Sequence, residues 1–110
     1  MLVMTRWDKK TRILLLSGRF DKTARVPMET ALATAENRSC NQVILDFSGV
    51  SSMDSAGIGK LLLLYYSLRK KFVSLTVMNP RPIVEDLLQM VNLANVIPIV
   101  QNKEPIRSVA

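Results

Sequence analysis

Histidine is missing from this 110-residue chain, and cysteine appears once, at Cys40. Without histidine no Ser-His-Asp or Cys-His relay can be assembled, and nothing else supplies a base for a serine nucleophile. The expectation is therefore a protein that is not an enzyme and has no catalytic residues. A lone cysteine excludes an internal disulfide and suits a reducing cytoplasm. With no second thiol or ligand set beside it, Cys40 reads as a small residue in or near a loop. Carboxylates unaccompanied by His or Cys make a poor metal site, so neither metal nor cofactor is expected. Aromatic residues amount to 5%, too few to interleave with basic residues as stacking platforms, which argues against nucleic-acid binding. No apolar run reaches the roughly 18–20 residues that cross a bilayer, and the N-terminus has no signal-peptide layout. A cytoplasmic protein that does not insert into membranes is the reading.

What is present is a core. Hydrophobic residues make up 48% of the chain, and this length is that of one domain able to bury a single core, residues 1–110. The net charge is +6, from 15 Lys and Arg against 9 Asp and Glu. The cations gather at Arg6, Lys9, Lys10 and Arg12, at Arg19, Lys22 and Arg25, and at Arg69 to Lys71. They read as a solvated basic surface that steers the protein toward acidic partners.

In chain order, Met1 to Trp7 and Arg12 to Ser17 alternate as strands. The polar Asp8-Lys9-Lys10-Thr11 between them predicts an antiparallel hairpin. Gly18 to Lys22 is read as leaving the second strand. A helix follows from about Thr23 or Ala24 to Arg38, with Val26, Leu32 and Ala35 at helical spacing and Pro27 tolerated in the first turn. Val43 to Phe47 is a short β-branched run and reads as a buried strand ended by a polar loop, Ser48 to Ser52. Strand, helix, strand implies a parallel pair with a right-handed crossover. Ile58 to Leu68 lies in a second helix, from Ser55 to about Lys71, so apolar that burial on most sides is expected. Val73 to Met78 is a further parallel strand. A helix from Pro82 to about Asn92 should turn Ile83, Leu87, Leu88 and Val91 inward. Val96 to Val100, broken by Pro98, should be an edge strand. The tail from Gln101 is polar and carries no readable element. The fold class is α/β: a mixed, mostly parallel sheet of four to five strands with an N-terminal antiparallel hairpin and packed helices.

The chemistry concentrates in Asp46-Phe47-Ser48-Gly49-Val50-Ser51-Ser52-Met53-Asp54-Ser55-Ala56-Gly57-Ile58-Gly59. Asp54 and Ser55 stand where a helix begins, and their oxygens suit its unpaired first-turn N–H groups. Gly57 and Gly59 add little bulk, so a hydroxyl is expected exposed at the positive end of a helix dipole, a position that favours an added anion. Dinucleotide and phosphate-loop readings fail: Leu62 stands at the third glycine of the first, Leu61 at the hydroxyl of the second, and Asp54 at its first glycine. Asp21, Asp46 and Ser55 should lie along one edge of the sheet, where open α/β sheets place their sites. Capping of loop or helix N–H groups is the alternative for both aspartates; for Asp46 the two readings balance, and for Asp21 a functional role is favoured, since it is expected to face Ser55.

This stretch, with Gly18-Arg19-Phe20-Asp21, Val43-Ile44-Leu45-Asp46 and Asn79-Pro80 in the right order, resembles the signature of STAS domains. Within them it is most similar to the bacterial anti-sigma factor antagonists. The resemblance implies a switch. In its unphosphorylated form such a protein binds an anti-sigma factor that is also an ATP-binding serine kinase, releasing the sigma factor. Phosphorylation of the serine after the motif aspartate, here Ser55, ends the binding, and a metal-dependent serine phosphatase reverses it. Asp21, Met53, Asp54, Ala56, Gly57 and Ile58 would contact the partner, with Asp46 and Gly59 supporting the edge. An alternative use of the fold is a non-switching STAS subunit of a transporter or lipid-trafficking complex, where Ser55 merely caps its helix. Three positions depart from the pattern. Ala56 replaces a second hydroxyl, Arg19 stands where an acidic residue is common, and no Gly ends the long helix, which calls for an exit near Phe72 in some other conformation.

Overall fold

The computed structural model describes residues 1–33 and 40–101. The polar tail beyond Gln101 and the last residues expected in the first helix, 34–38, lie outside the described residues. Strands β1 (Leu2–Asp8) and β2 (Thr11–Phe20) form the expected antiparallel hairpin, with Asp8 opposite Thr11. A 3-10 turn, Lys22–Ala24, leads into α1 (Arg25–Ala33). Then come β3 (Gln42–Met53), α2 (Ser55–Arg69), β4 (Ser74–Met78), α3 (Pro82–Met90) and the two-residue β5 (Ile99–Val100). The sheet order is β1-β2-β3-β4-β5, antiparallel at the first pair and parallel thereafter. Every crossover steps the same way across the sheet, so right-handed connections put all three helices on one face. Strand β5 lies at the edge, as Pro98 predicts.

Alternation along the strands sends Leu14, Leu16, Val43, Leu45, Phe47, Leu75 and Val77 to the helix face. There they form one core with Phe20, Leu61, Val84, Leu88 and Ile97. Phe20 and Phe47 pack at 5.3 Å between ring centroids inside it. Burial of such side chains contributes about 1.5–3 kcal/mol each and is what holds the layers together.

Several expectations are overturned. The segment Ser48 to Ser52 is strand, and so is Gly18 to Phe20: the two pair in register up to Phe20 opposite Met53, across two irregularities. Backbone pairing with a neighbour supplies what their polar, glycine-containing sequences do not advertise. Helix α2 is buried at Gly57, Leu61 and Leu68, while Leu63 and Tyr66 are exposed, so it sits on the sheet by one side. Helix α3 turns Val84 and Leu88 inward, whereas Ile83 and Val91 face outward. Arg12 is not part of the basic surface. It is buried, donating from its guanidinium to the carbonyls of Ala31 and Leu32 at the end of α1, with Trp7 stacked 5.5 Å away. The exit from α2 uses the left-handed conformation after all, without glycine: Phe72 has φ 60, and Val73 N–H closes back onto the Leu68 carbonyl at 3.0 Å.

Candidate functional site

Because Phe20 and Met53 are partners in register, β2 and β3 finish level with each other. Each is followed by an aspartate in nearly the same extended conformation, Asp21 at φ −129, ψ −162 and Asp54 at φ −125, ψ −176. Each aspartate caps the helical segment that follows. Asp21 Oδ1 accepts from Thr23 N–H at 2.9 Å and from the Thr23 hydroxyl. Asp54 Oδ1 accepts from Gly57 N–H at 2.9 Å, and the Asp54 carbonyl takes Ile58 N–H at 3.0 Å. Thr23, which sequence reading passed over, is legible as the far end of an Asx turn.

Ser55 is the first residue of α2 and is exposed. Its hydroxyl is not the cap, since the Asp54 carboxylate already fills that place. Among the described residues the first-turn N–H groups of Ser55 and Ala56 have no acceptor, as is usual at a helix start, and the dipole there favours negative charge. Ala56 is exposed, Asp54 is exposed, and Asp21, Met53 and Ile58 are half-buried. Since Phe20 and Met53 are in register, Asp21 and Asp54 follow level strand ends, and Thr23 and Ser55 each bring a hydroxyl just beyond. Thr23's hydroxyl, then its N–H, holds the Asp21 carboxyl below its ordinary value near 3.8, with the Arg19 charge lowering it further.

The two glycines behave differently. Gly57 is buried, and a Cβ built on it would lie 2.0 Å from the Phe20 carbonyl oxygen. The first turn of α2 therefore rests directly on the end of β2, and only a glycine permits that approach. Gly57 seats the helix instead of baring it. A Cβ on Gly59 would meet nothing within 4 Å, so Gly59 is as open as expected.

Asp46 does not join this group. It lies in the middle of β3, opposite Leu15 and Met78, seven residues before the strand ends, a run of roughly 23 Å at about 3.3 Å per residue. Its Oδ1 accepts from Ser48 N–H at 2.9 Å within an irregular stretch of β3, and Arg81 of the segment before α3 donates to the Ser48 carbonyl at 2.8 Å. Asp46 thus serves strand geometry. Cys40 donates from Sγ to the Gln42 carbonyl at 3.2 Å. Among the described residues no three His, Cys, Asp or Glu gather as a metal site, and no helix is long and apolar enough to cross a membrane.

Comparison with known proteins places this geometry in context. The family model described as STAS domain matches residues 4–105. The anti-sigma F factor antagonist of Paenibacillus polymyxa is 30% identical over 95 residues, covering 83% of this chain and 79% of that protein. The unphosphorylated anti-sigma factor antagonist SpoIIAA superposes with a TM-score of 0.70 at 22% identity, over 94% of this chain and 90% of its own. SpoIIAA, a Bacillus cell fate determinant, is also known in a phosphorylated form, with a TM-score of 0.64 at 21% identity, over 94% and 93%. The same fold occurs in the STAS domain of a SulP transporter from Vibrio cholerae, TM-score 0.70 at 17% identity, over 93% and 78%.

Proposed function

This chain belongs to the STAS domain family, and we propose that it works as a single-domain anti-sigma factor antagonist whose binding is switched by phosphate at Ser55. The observation that carries this reading is the division of labour at the start of α2: Asp54 caps the helix, and among the described residues the exposed Ser55 hydroxyl has no hydrogen-bond partner. In the alternative, non-switching reading Ser55 merely caps its helix, and here the Asp54 carboxylate holds that place.

Unphosphorylated, the surface of Asp21, Met53, Asp54, Ala56 and Ile58 docks on an ATP-binding anti-sigma factor serine kinase in the cytoplasm, freeing that kinase's sigma factor. Gly57 acts indirectly, by seating the helix. The chain is then the kinase's substrate. Ser55 Oγ forms a bond to the γ-phosphorus, the bond from that phosphorus to the ADP oxygen breaks, and a base of the kinase takes the hydroxyl proton. The product carries about −1.5 to −2 additional charges. One such charge near 4 Å from a partner carboxylate costs up to ~4 kcal/mol at an effective dielectric of 20, roughly a thousandfold in affinity. Within the domain the same phosphate meets the free N–H groups of Ser55 and Ala56 and the helix dipole, worth ~0.3–1 kcal/mol in its favour. Binding is lost while the fold stays. A metal-dependent phosphatase, acting on the exposed group, resets the switch.

The test is incubation with the cognate kinase and ATP, read by mass spectrometry, pull-down and thermal melting. One phosphoryl group on the native chain and none on Ser55→Ala, with Ser55→Ala remaining bound, is the expected result. Phosphorylation of Ser55→Ala, or a phosphorylated form that unfolds, overturns the reading.

A further inference from the structure

The strands run parallel from β2 onward, so the domain has two unlike poles, and Ser55 sits at one of them. At the other, Thr11, Gln42 and Ser74 stand level at the starts of β2, β3 and β4. Just outside them the Asn41 N–H donates to the Lys10 carbonyl at 3.0 Å, and the Ser74 N–H donates to the Asn41 carbonyl at 3.1 Å. These bonds bring the hairpin turn, Lys9-Lys10, onto the same rim as the segment that leaves α2, Arg69-Lys70-Lys71-Phe72. At about 4.8 Å between strands, Lys10 and Ser74 lie roughly 10 Å apart.

This rim is basic. Lys9, Lys10, Arg69, Lys70 and Lys71 are all exposed, and Asp8, half-buried, is the carboxylate among the described residues there. Asp21, Asp54, Glu85 and Asp86 belong to the Ser55 pole, where α2 and α3 begin. Residues 34–39, in the connection from α1 to β3, contribute Glu36 and Arg38 and therefore no net charge. The cations after α2 answer its dipole, but Lys9 and Lys10 follow a strand and end no helix.

Apolar side chains stand among these charges. Phe72 is 93% exposed, and α3, which returns the chain to this pole, ends with Met90 79% exposed. Lys9 at φ 58 and Phe72 at φ 60 both occupy left-handed backbone, where a glycine would sit without strain. A cation and an aromatic ring thus hold two positions whose turn chemistry favours Gly or Asn.

We propose that this pole docks on the surface of an anionic phospholipid bilayer, its lysines and Arg69 over the headgroup phosphates, with Phe72 and Met90 dipping into the interface. Interfacial anchors combine these two features, cations and protruding apolar side chains. Duplex nucleic acid would engage the cations but offers Phe72 and Met90 no apolar layer, and no groove-reading helix stands on this rim among the described residues. An acidic protein would meet the charges alone. No membrane-spanning segment is required, and the Ser55 pole stays turned to water. The inference does not rest on Ser55, and its test does not involve the kinase.

The experiment is co-sedimentation of the full chain with phosphatidylcholine vesicles, with and without phosphatidylglycerol, over a range of salt. Expected is at least tenfold tighter binding to the anionic vesicles, weakening as salt rises. Phe72→Gly relieves the backbone, so it should melt no lower than the native chain and yet bind at least threefold more weakly. Lys9→Gln with Lys10→Gln, Lys70→Gln and Lys71→Gln should weaken binding at least tenfold; if that variant does not fold, Phe72→Gly and the vesicle comparison decide. Equal binding to both vesicles, undiminished binding by Phe72→Gly, or tighter binding to duplex DNA or polyglutamate than to the anionic vesicles would overturn the proposal.

Discussion

Replacing Gly57 by alanine sets two effects of opposite sign against each other. Alanine is the better helix former, by about 0.8–1 kcal/mol over glycine in a helix interior. Its methyl, however, would stand 2.0 Å from the Phe20 carbonyl oxygen and 2.9 Å from the carbonyl carbon. These are main-chain atoms at the end of a paired strand, and Phe20 is itself 1% exposed and packed on Phe47, so no side-chain rotation relieves the clash. The first turn of α2 must lift away, and overpacking of this kind costs ~1–3 kcal/mol, here toward the upper end. The net expectation is a loss of about 2 kcal/mol, which for a domain near this size lowers Tm by roughly 8–16 °C. Gly59→Ala is the control two residues along the same helix. With nothing within 4 Å of the new methyl, the propensity term acts alone and should stabilise by about 0.5–1 kcal/mol. Urea denaturation of both variants, checked for unchanged m-value, measures the pair. A Gly57→Ala protein as stable as the native chain, or a Gly59→Ala protein destabilised alongside it, would refute the seating of α2 on β2.

Asp54→Ala removes the acceptor for Gly57 N–H and should cost about 1 kcal/mol in chemical denaturation; Asp54→Asn, which keeps an acceptor, should lose much less. At Asp21 the folded carboxyl titrates below 3.8, because Thr23 stabilises the ionised form. Its contribution is therefore fully present above pH 3.8 and is lost as pH falls through the lower folded value. Thr23→Val should move the Asp21 carboxyl upward in a carbon-detected NMR titration, and an unmoved curve would reject the assignment. Arg12→Leu removes the guanidinium that donates to the carbonyls of Ala31 and Leu32, and the loss of hydrogen bonds from a charged group should cost about 1.5–3 kcal/mol. Faster amide exchange in α1 should accompany that loss.

The hairpin, the central strand, the three helices and the edge strand were all legible, because each is marked by period or by punctuation: Asp8-Lys9-Lys10-Thr11 for the turn, Pro82 for a helix start, Pro98 for an edge. The polar ends of β2 and β3 were not. Nothing in Ser48-Gly49-Val50-Ser51-Ser52 favours a strand by itself; only the partner alongside makes it one, and sequence periodicity does not report partners. That omission displaced Asp46, which looked like the end of a strand and lies in its middle. The inward faces were misjudged for a related reason. In Leu61-Leu62-Leu63-Leu64-Tyr65-Tyr66 every direction is apolar, so the pattern has no phase, and in α3 the same ambiguity hid Val84 behind Ile83. Asp54 with Ser55 was readable because cap chemistry is local. The role of Gly57 was not, since its reason is the Phe20 carbonyl thirty-seven residues upstream.

Helix α2 runs unbroken for fifteen residues, about 22 Å, from the serine at its tip to Arg69 at its tail. A stiff rod cannot tilt at one end alone. Any displacement forced on its tip is carried along the axis to its tail, and by reciprocity a force applied at the tail is felt at the tip.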